Sequence, residues 1–203
     1  MKTGRLLWTN TMDDQLKLSP LPTSEWDESL CAILEQMQGR PLNVHSLMAN
    51  HPELLSAWWN FRNYSISGGA LGRRKGELVI LRVAVQVKAW YEWASHVERS
   101  LACGLSLEEI ERVQLDPSSQ DWHDSEAILL KAVDELIANH VLSLQTHSQL
   151  REHYSVKQIM DIMAIHGMYL ILGCMINTWG LELDPRVQEK LPATVTQEKF
   201  EGR

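Results

Sequence analysis

The 203-residue chain lacks the features that mark several large classes of protein. It has no block of basic residues and its net charge is −7, so no partner of nucleic acid type is expected. Its three cysteines lie far apart and form neither a CxxC pair, nor a zinc-ligand spacing, nor a disulfide framework. This cysteine usage is typical of a reducing compartment, and we expect a cytoplasmic location.

Long apolar segments and metal-binding motifs are also missing. Near the N-terminus only Leu6-Leu7-Trp8 is apolar, which is too short for a secretory signal. The longest apolar run, residues 162–176, is interrupted by His166 and is short for a membrane span. The histidines show no H-x-x-x-H or H-E-x-x-H spacing. We therefore expect no membrane partner and no bound metal.

The chain does contain helical periodicity along most of its length. Seven of the eight residues in 78–85 are apolar and several are β-branched, a composition that also suits a buried strand. No partner strand appears elsewhere, so we predict a helix there. The first predicted helix begins near Thr23 and runs to about Gln38. The sequence thus predicts one all-α helical bundle, residues 25–192, between an extended N-terminal arm, 1–24, and a polar tail, 193–203.

The strongest chemical signal is a carboxylate and an imidazole four residues apart, Glu92 and His96. On a helix this spacing puts both on one face, with Cβ atoms roughly 5–6 Å apart, where they can share a proton. Glu77 begins the preceding apolar run, and a second helix could bring it alongside. Two acids and a histidine together would form an acid–base site that needs no cofactor. The competing interpretation is a solvated helix face.

These residues and several flanking segments resemble the carboxymuconolactone decarboxylase / alkyl hydroperoxidase D-like family. The segment that includes Glu77 resembles the family's "L-x-x-R-x-x-E" helix. The similar segments are 51–55, 71–84, 91–96, 104–110, 167–169 and 177–180. The resemblance covers roughly residues 44–183. It implies an all-α fold of the alkyl hydroperoxidase D-like type and a homo-oligomer, commonly a trimer or a hexamer.

The peroxidase branch of that family carries C-x-x-C-x-x-x-H. Aligned on His96, the two cysteine positions here are Ala89 and Glu92, which can form neither a sulfenate nor a disulfide. The resemblance therefore favours the decarboxylase branch, which uses no thiol and no metal, and it implies Glu77, Glu92 and His96 as the catalytic groups.

The expected reaction is decarboxylation, isomerisation or ring opening of a small lactone or carboxylate-type substrate, without a cofactor. A peroxidase-type redox protein is one alternative, disfavoured by the missing thiols. A helical oligomeric binding protein without enzymatic activity is the other.

Further residues are predicted to bind the substrate. They are Tyr91, Trp93, Arg74, His166 and Tyr169. The aromatic pair flanking Glu92 would exclude water, although core or subunit contacts are the competing interpretation. Arg74, Arg82 and Arg99 are candidates for holding a substrate carboxylate, against the alternative of surface ion pairs. His166 and Tyr169 lie one turn apart in an apolar helix, where a packed core histidine is the alternative.

Overall fold

The computed structural model describes residues 17–119 and 121–202, which form helices and loops and contain no β-strand. The α-helices are α1 (Cys31–Gln36), α2 (Asn43–Met48), α3 (Pro52–Ile66), α4 (Arg73–Gln86), α5 (Trp90–Ala102), α6 (Leu107–Arg112), α7 (Asp124–Asn139), α8 (Leu144–His153), α9 (Val156–Trp179), α10 (Pro185–Gln188) and α11 (Gln197–Phe200). The all-α prediction is confirmed, including the helix over the strand-like run.

Helix α4 lies at the centre of the bundle, in contact with α5, α7 and α9. Its residues from Gly76 to Ala84 are all buried, including the polar Glu77 and Arg82. A helix that is apolar on nearly every side must be covered on nearly every side. The apolar run 78–85, whose composition also suits a strand, is therefore part of the buried central helix.

The start of α4 is fixed by a glycine turn tied to α9. Gly68 has φ of +79°, and a Cβ there would lie 2.4 Å from the carbonyl carbon of Gly72, so the turn requires glycine. Asp161 Oδ2 accepts hydrogen bonds from the backbone N–H groups of Ala70 (2.6 Å) and Leu71 (3.2 Å). This buried carboxylate sets where α4 begins, and with it the position of Glu77.

The predicted start of the first helix is wrong. The first predicted helix is interrupted, because Asp27 accepts a hydrogen bond from Ser29 N–H at 2.9 Å and caps a short 3-10 turn. The α-helix then begins only at Cys31. The predicted polar tail includes α11. The ring centroid of its Phe200 lies 5.7 Å from that of Trp90 and 5.4 Å from that of Trp93. Two aromatic contacts hold this segment on α5.

The predicted N-terminal arm lies mostly outside the described residues, since only its part from residue 17 onward is described. Within that part, Leu21 N–H donates to the carbonyl of Ser46 at 2.9 Å.

Helix α9 is long and apolar enough to cross a membrane by length and composition alone. In the bundle, 56% of its most apolar window is buried against other helices, as in the core helix of a globular protein. Its buried side includes Ile162, Ile165, Met168 and Tyr169.

Candidate active site

The connection between α4 and α5 sets Glu77 level with His96. Ala89 N–H donates to the carbonyl of Ala84 at 2.8 Å, closing a tight turn in which Lys88 has φ of +56°. Glu77 lies seven residues before Ala84, and His96 lies seven residues after Ala89. Two antiparallel helices therefore bring them to the same height. The contact between Glu77 and His96 therefore follows from the equal lengths of the two segments, 77–84 and 89–96.

The structure brings Glu77, Glu92 and His96 together. His96 Nδ1 lies 2.7 Å from Glu77 Oε2, and His96 Nε2 lies 3.3 Å from Glu92 Oε1. All three side chains are buried, with His96 only 2% exposed. The imidazole thus has a carboxylate at each nitrogen, and the interpretation of a solvated helix face is excluded. We refer to these three residues as the Glu–His–Glu triad.

The triad favours a protonated imidazole. Burial opposes the charged form of His96, but the charge and hydrogen bond of Glu77 and the hydrogen bond of Glu92 outweigh it, so the pKa of His96 is raised above 6.5. Ser100 Oγ, one turn further along α5, lies 3.4 Å from Glu77 Oε2 and adds a donor to that carboxylate. The His96 ring can therefore carry a proton between two acceptors.

One oxygen of the triad has no partner. Glu92 Oε2 is buried and accepts no hydrogen bond from the described residues. An orphaned carboxylate oxygen in the interior is costly unless a ligand or a water supplies a donor. This atom is the point at which the triad can exchange a proton with another molecule.

Tyr169, predicted to bind substrate, lies against the triad. Its ring packs edge-on to His96, with centroids 5.1 Å apart. Burial raises the pKa of its hydroxyl far above the ordinary value, and Glu92 and Glu77 raise it further. Tyr169 therefore stays neutral and walls the triad.

Tyr91 and Trp93 have other partners. The Tyr91 hydroxyl donates to Asp184 Oδ2 at 2.6 Å and accepts from Val44 N–H at 3.2 Å, which ties the segment after α9 to α2. Trp93 packs on Phe200. The structure does not bring either side chain to the triad.

Two of the three candidate arginines are committed to structural bonds. Arg74 pairs with Glu109 and with Glu126 (3.0 Å). Arg82 is buried and binds Asp134 through Nε (2.6 Å) and Nη2 (2.7 Å). Their guanidinium groups join α4 to α6 and α7 and are not available to a substrate.

His166 is buried one turn before Tyr169, and its Nε2 has no hydrogen-bond partner among the described residues. Burial lowers its pKa, and the charge of His140 lowers it further, so the ring is neutral at neutral pH. No contact joins it to the triad in the part of the chain that the structure describes.

A pocket is lined by the third candidate arginine, Arg99, and by residues that are not predicted from the sequence. The pocket has a volume of about 420 Å³, and the unpredicted residues of its lining include His45, Trp59, Arg62 and Ser95. Ser95 and Arg99 share a face of α5 with Glu92, at i+3 and i+7, a signal that the sequence does contain. Arg62 belongs to α3, and only the tertiary structure brings it there.

Few of the described residues are suited to metal binding or to thiol chemistry. No group of three or more His, Cys, Asp or Glu in described positions could hold a metal ion. The three cysteines are free, and burial followed by the charge of Glu77 raises the pKa of the Cys103 thiol. A raised pKa disfavours the thiolate that thiol chemistry requires.

Comparison with known proteins gives a family match for part of the chain and a fold for most of it. Residues 52–119 match the sequence model of the carboxymuconolactone decarboxylase family. No curated protein matches the chain.

Solved structures share the fold at low identity. An uncharacterised peroxidase-related protein from Ralstonia eutropha JMP134, described as an alkylhydroperoxidase core, is 17% identical with a TM-score of 0.74, covering 85% of this chain and 94% of that one. A peroxidase-related protein from Silicibacter sp. TM1040 is 16% identical with a TM-score of 0.71, covering 88% and 97%.

A debrominase, Bmp8, in a complex with 2,3,4-tribromopyrrole, is 15% identical with a TM-score of 0.69, covering 85% of this chain and 94% of that one. The neighbours thus include proteins of different described chemistries, so the fold does not fix the reaction. The match over residues 52–119 and the shared all-α fold confirm the predicted resemblance: that segment is similar to the carboxymuconolactone decarboxylase family, and the fold is similar to that of the alkylhydroperoxidase core structure.

Proposed function

We propose that this protein is a cofactor-independent acid–base enzyme acting on a small oxygenated substrate of the lactone or carboxylate type. The observation that carries the proposal is the buried Glu–His–Glu triad, which ends in the unpartnered Oε2 of Glu92. Such an arrangement stores a proton out of contact with bulk water and offers one open acceptor. Nothing else is needed for general acid–base catalysis.

Each member of the triad has a separate proposed role. Glu77 accepts a hydrogen bond from Nδ1, which orients the ring and stabilises the imidazolium. His96 holds the proton and passes it through Nε2. Glu92 receives that proton on Oε1 as it gives up a proton from Oε2 to the substrate, or the reverse, and resonance of the carboxyl group exchanges the roles of its two oxygens. Tyr169 excludes water beside the ring, which strengthens these interactions.

For decarboxylation, the substrate's C–C bond to its carboxylate breaks and CO₂ leaves. The electron pair is delocalised onto the adjacent unsaturated carbonyl system and then takes up the proton held by the triad, forming a C–H bond. Isomerisation uses the same groups to remove a proton at one carbon and return it at another. Neither step requires an oxidant or a reductant.

The proposed cellular location and oligomeric state rest on the sequence. We place the enzyme in the cytoplasm and propose that it forms a homo-oligomer, a trimer or a hexamer. The partner chain would contact the exposed apolar residues of α9, which are Val156, Met160, Met163 and Ile171.

Two alternatives are less well supported. A thiol peroxidase would need two cysteines near His96, where this chain has Ala89 and Glu92. A binding protein without activity would have no reason to keep a buried carboxylate oxygen unpaired, because an apolar residue costs less there. Neither alternative accounts for the triad.

The proposal is tested by following CO₂ release and the ultraviolet absorbance of carboxymuconolactone and related carboxylated lactones. Glu92→Gln and His96→Gln are expected to lower kcat by about 10²–10⁴-fold, because each removes a proton-transfer group. Glu152→Gln, an exposed carboxylate on α8, is the matched control and should keep full activity.

Alkylation of all three thiols is the second arm. Activity is expected to survive it, since no step uses sulfur. Full activity in both triad variants, or loss of activity on alkylation with the fold intact, would contradict the proposal.

A further inference from the structure

We propose that the pocket lined by Arg62 and Arg99 binds the carboxylate of a planar organic acid between these two side chains. That this acid is the substrate rests on the proposed function, whereas its binding to the arginines does not. The pocket is bounded by α1, α2, α3, α5 and α10, and its lining residues that carry the argument are His45, Trp59, Arg62, Ser95, Arg99 and Arg186.

The pocket holds an excess of positive charge in an acidic chain. Its one acidic lining residue, Glu98, is already paired with Lys190 at 2.9 Å. Arg62 bonds only the side chain of Asn63 (3.0 Å), and Arg99 makes no ion pair or hydrogen bond to the described residues. Arginines that form no ion pair are unusual in a chain of net charge −7 and can bind an anionic ligand.

Partial burial of Arg62 strengthens this conclusion. Its guanidinium stacks over the Trp59 ring, 4.8 Å from the centroid. Burial and, after it, the positive charge of Arg99 lower the pKa of Arg62 to about 10. Two cations held near each other away from water repel. A carboxylate between them would remove the repulsion and accept paired N–H donors from a planar fork.

Neutral donors complete the pocket. His45 Nδ1 accepts from Leu42 N–H at 3.3 Å, so its hydrogen lies on Nε2. Burial lowers the pKa of His45 to about 3, and the nearby arginines contribute, which keeps the ring uncharged. Ser95 Oγ is buried without a hydrogen-bond partner among the described residues. A ligand oxygen would satisfy the Ser95 hydroxyl.

The apolar part of the lining, which includes Trp59, Met37 and Leu42, indicates that the ligand is apolar beyond its carboxylate. An aromatic or conjugated acid can use this surface, whereas a bare inorganic anion cannot. Arg99 lies two helical turns from Glu92 on α5, so an acid anchored at Arg99 must extend over roughly 11 Å along the helix to reach Oε2 of Glu92. The charge of Glu92 raises the pKa of Arg62, which indicates that these two groups interact.

The test uses the full chain and benzoate as the probe, with its neutral isostere benzamide and inorganic phosphate as comparisons, followed by isothermal titration calorimetry. We expect benzoate to bind, benzamide not to bind, and phosphate to bind more weakly than benzoate. Arg62→Gln and Arg99→Gln should each weaken benzoate binding by about tenfold. Arg151→Gln, an exposed arginine on α8, is the matched control and should leave binding unchanged.

Any of four results would overturn the inference. Two concern the ligands: benzamide binds as tightly as benzoate, or phosphate binds more tightly than benzoate. The others are that benzoate does not bind at millimolar concentration, or that it binds both arginine variants as it binds the wild type. Added salt should weaken benzoate binding to the wild type, and this measurement does not depend on the folding of a variant. Glu92→Gln should retain benzoate binding. A wild-type protein that binds benzoate through Arg62 and Arg99 but is inactive on every carboxylated lactone tested would refute the proposed function and leave this inference standing.

Discussion

His96 lies between two carboxylates in a part of the protein from which water is excluded. Burial alone would make a histidine neutral, as it does for His45. For His96 the two glutamates reverse that outcome and raise the pKa. The same residue type therefore has opposite charge states at two buried positions, and the difference lies in the partners.

This charge state predicts how stability depends on pH. Because the folded pKa of His96 is raised, the folded state keeps a proton that the unfolded chain loses above pH 6.5. The stabilisation is complete below that pH and is lost as pH rises through the folded pKa, by at most about 1.4 kcal/mol per unit. Urea denaturation between pH 6 and 9 measures it, with His96→Gln as the reference. A wild-type stability that rises relative to the variant over this range would contradict the prediction.

Which side chains join the triad can be predicted only where the chain itself sets the contact. Glu92 and His96 share a face because they are four residues apart on one helix. Tyr91 is predicted to bind substrate, yet its hydroxyl bonds Asp184, 93 residues further along. Arg62 is not predicted, because it lies on α3 beyond the segment 51–55 that carries the resemblance. Contacts between distant segments depend on packing that spacing does not encode.

Among the helices, the approach of α9 to the α4–α5 turn is the tightest fit near the site. A Cβ on Gly173 would lie 2.7 Å from Val87 Cγ2 and 3.7 Å from the Cβ of Ala89. Val87 is β-branched and cannot easily rotate away. Glycine at this position lets the helix carrying Tyr169 lie close to the turn that aligns Glu77 with His96.

Gly173→Ala is therefore expected to destabilise the protein by about 1–3 kcal/mol through overpacking. Gly167 lies on the same helix, and a Cβ added to it would have nothing within 4 Å, so Gly167→Ala should stabilise α9 by about 0.5–1 kcal/mol. Thermal and urea unfolding of the two variants measures both effects. Equal effects of the two substitutions would show that the close approach is not limiting.

Helix positions are predicted well where the apolar pattern is long, as in α4 and α9. The prediction is wrong at the ends. The Asp27 cap divides the first helix, and Phe200 draws a polar-looking segment onto α5. A single aromatic residue among polar neighbours gives no periodic signal, so this contact cannot be inferred from the sequence.

For the protein as a whole, the apolar surface of α9 predicts self-association. Met160 and Val156 are 64% and 57% exposed, and Met163 and Ile171 continue the same face. Light scattering is expected to give three or six times the 23.2 kDa chain mass. Met160→Lys with Ile171→Lys should lower that mass, while Leu144→Lys, at an exposed site on α8, should not. A monomeric wild type would contradict the prediction.

The proposed function depends on His96 carrying a proton between Glu77 and Glu92. Nitrogen-15 NMR titration of the His96 imidazole in the wild type and in Glu77→Gln measures this protonation. We expect the doubly protonated ring to predominate at pH 6.5, a pKa above 6.5, and a lower pKa in the variant, because one carboxylate charge is removed. A neutral His96 ring at pH 6.5, with the same titration in both proteins, would rule out this role.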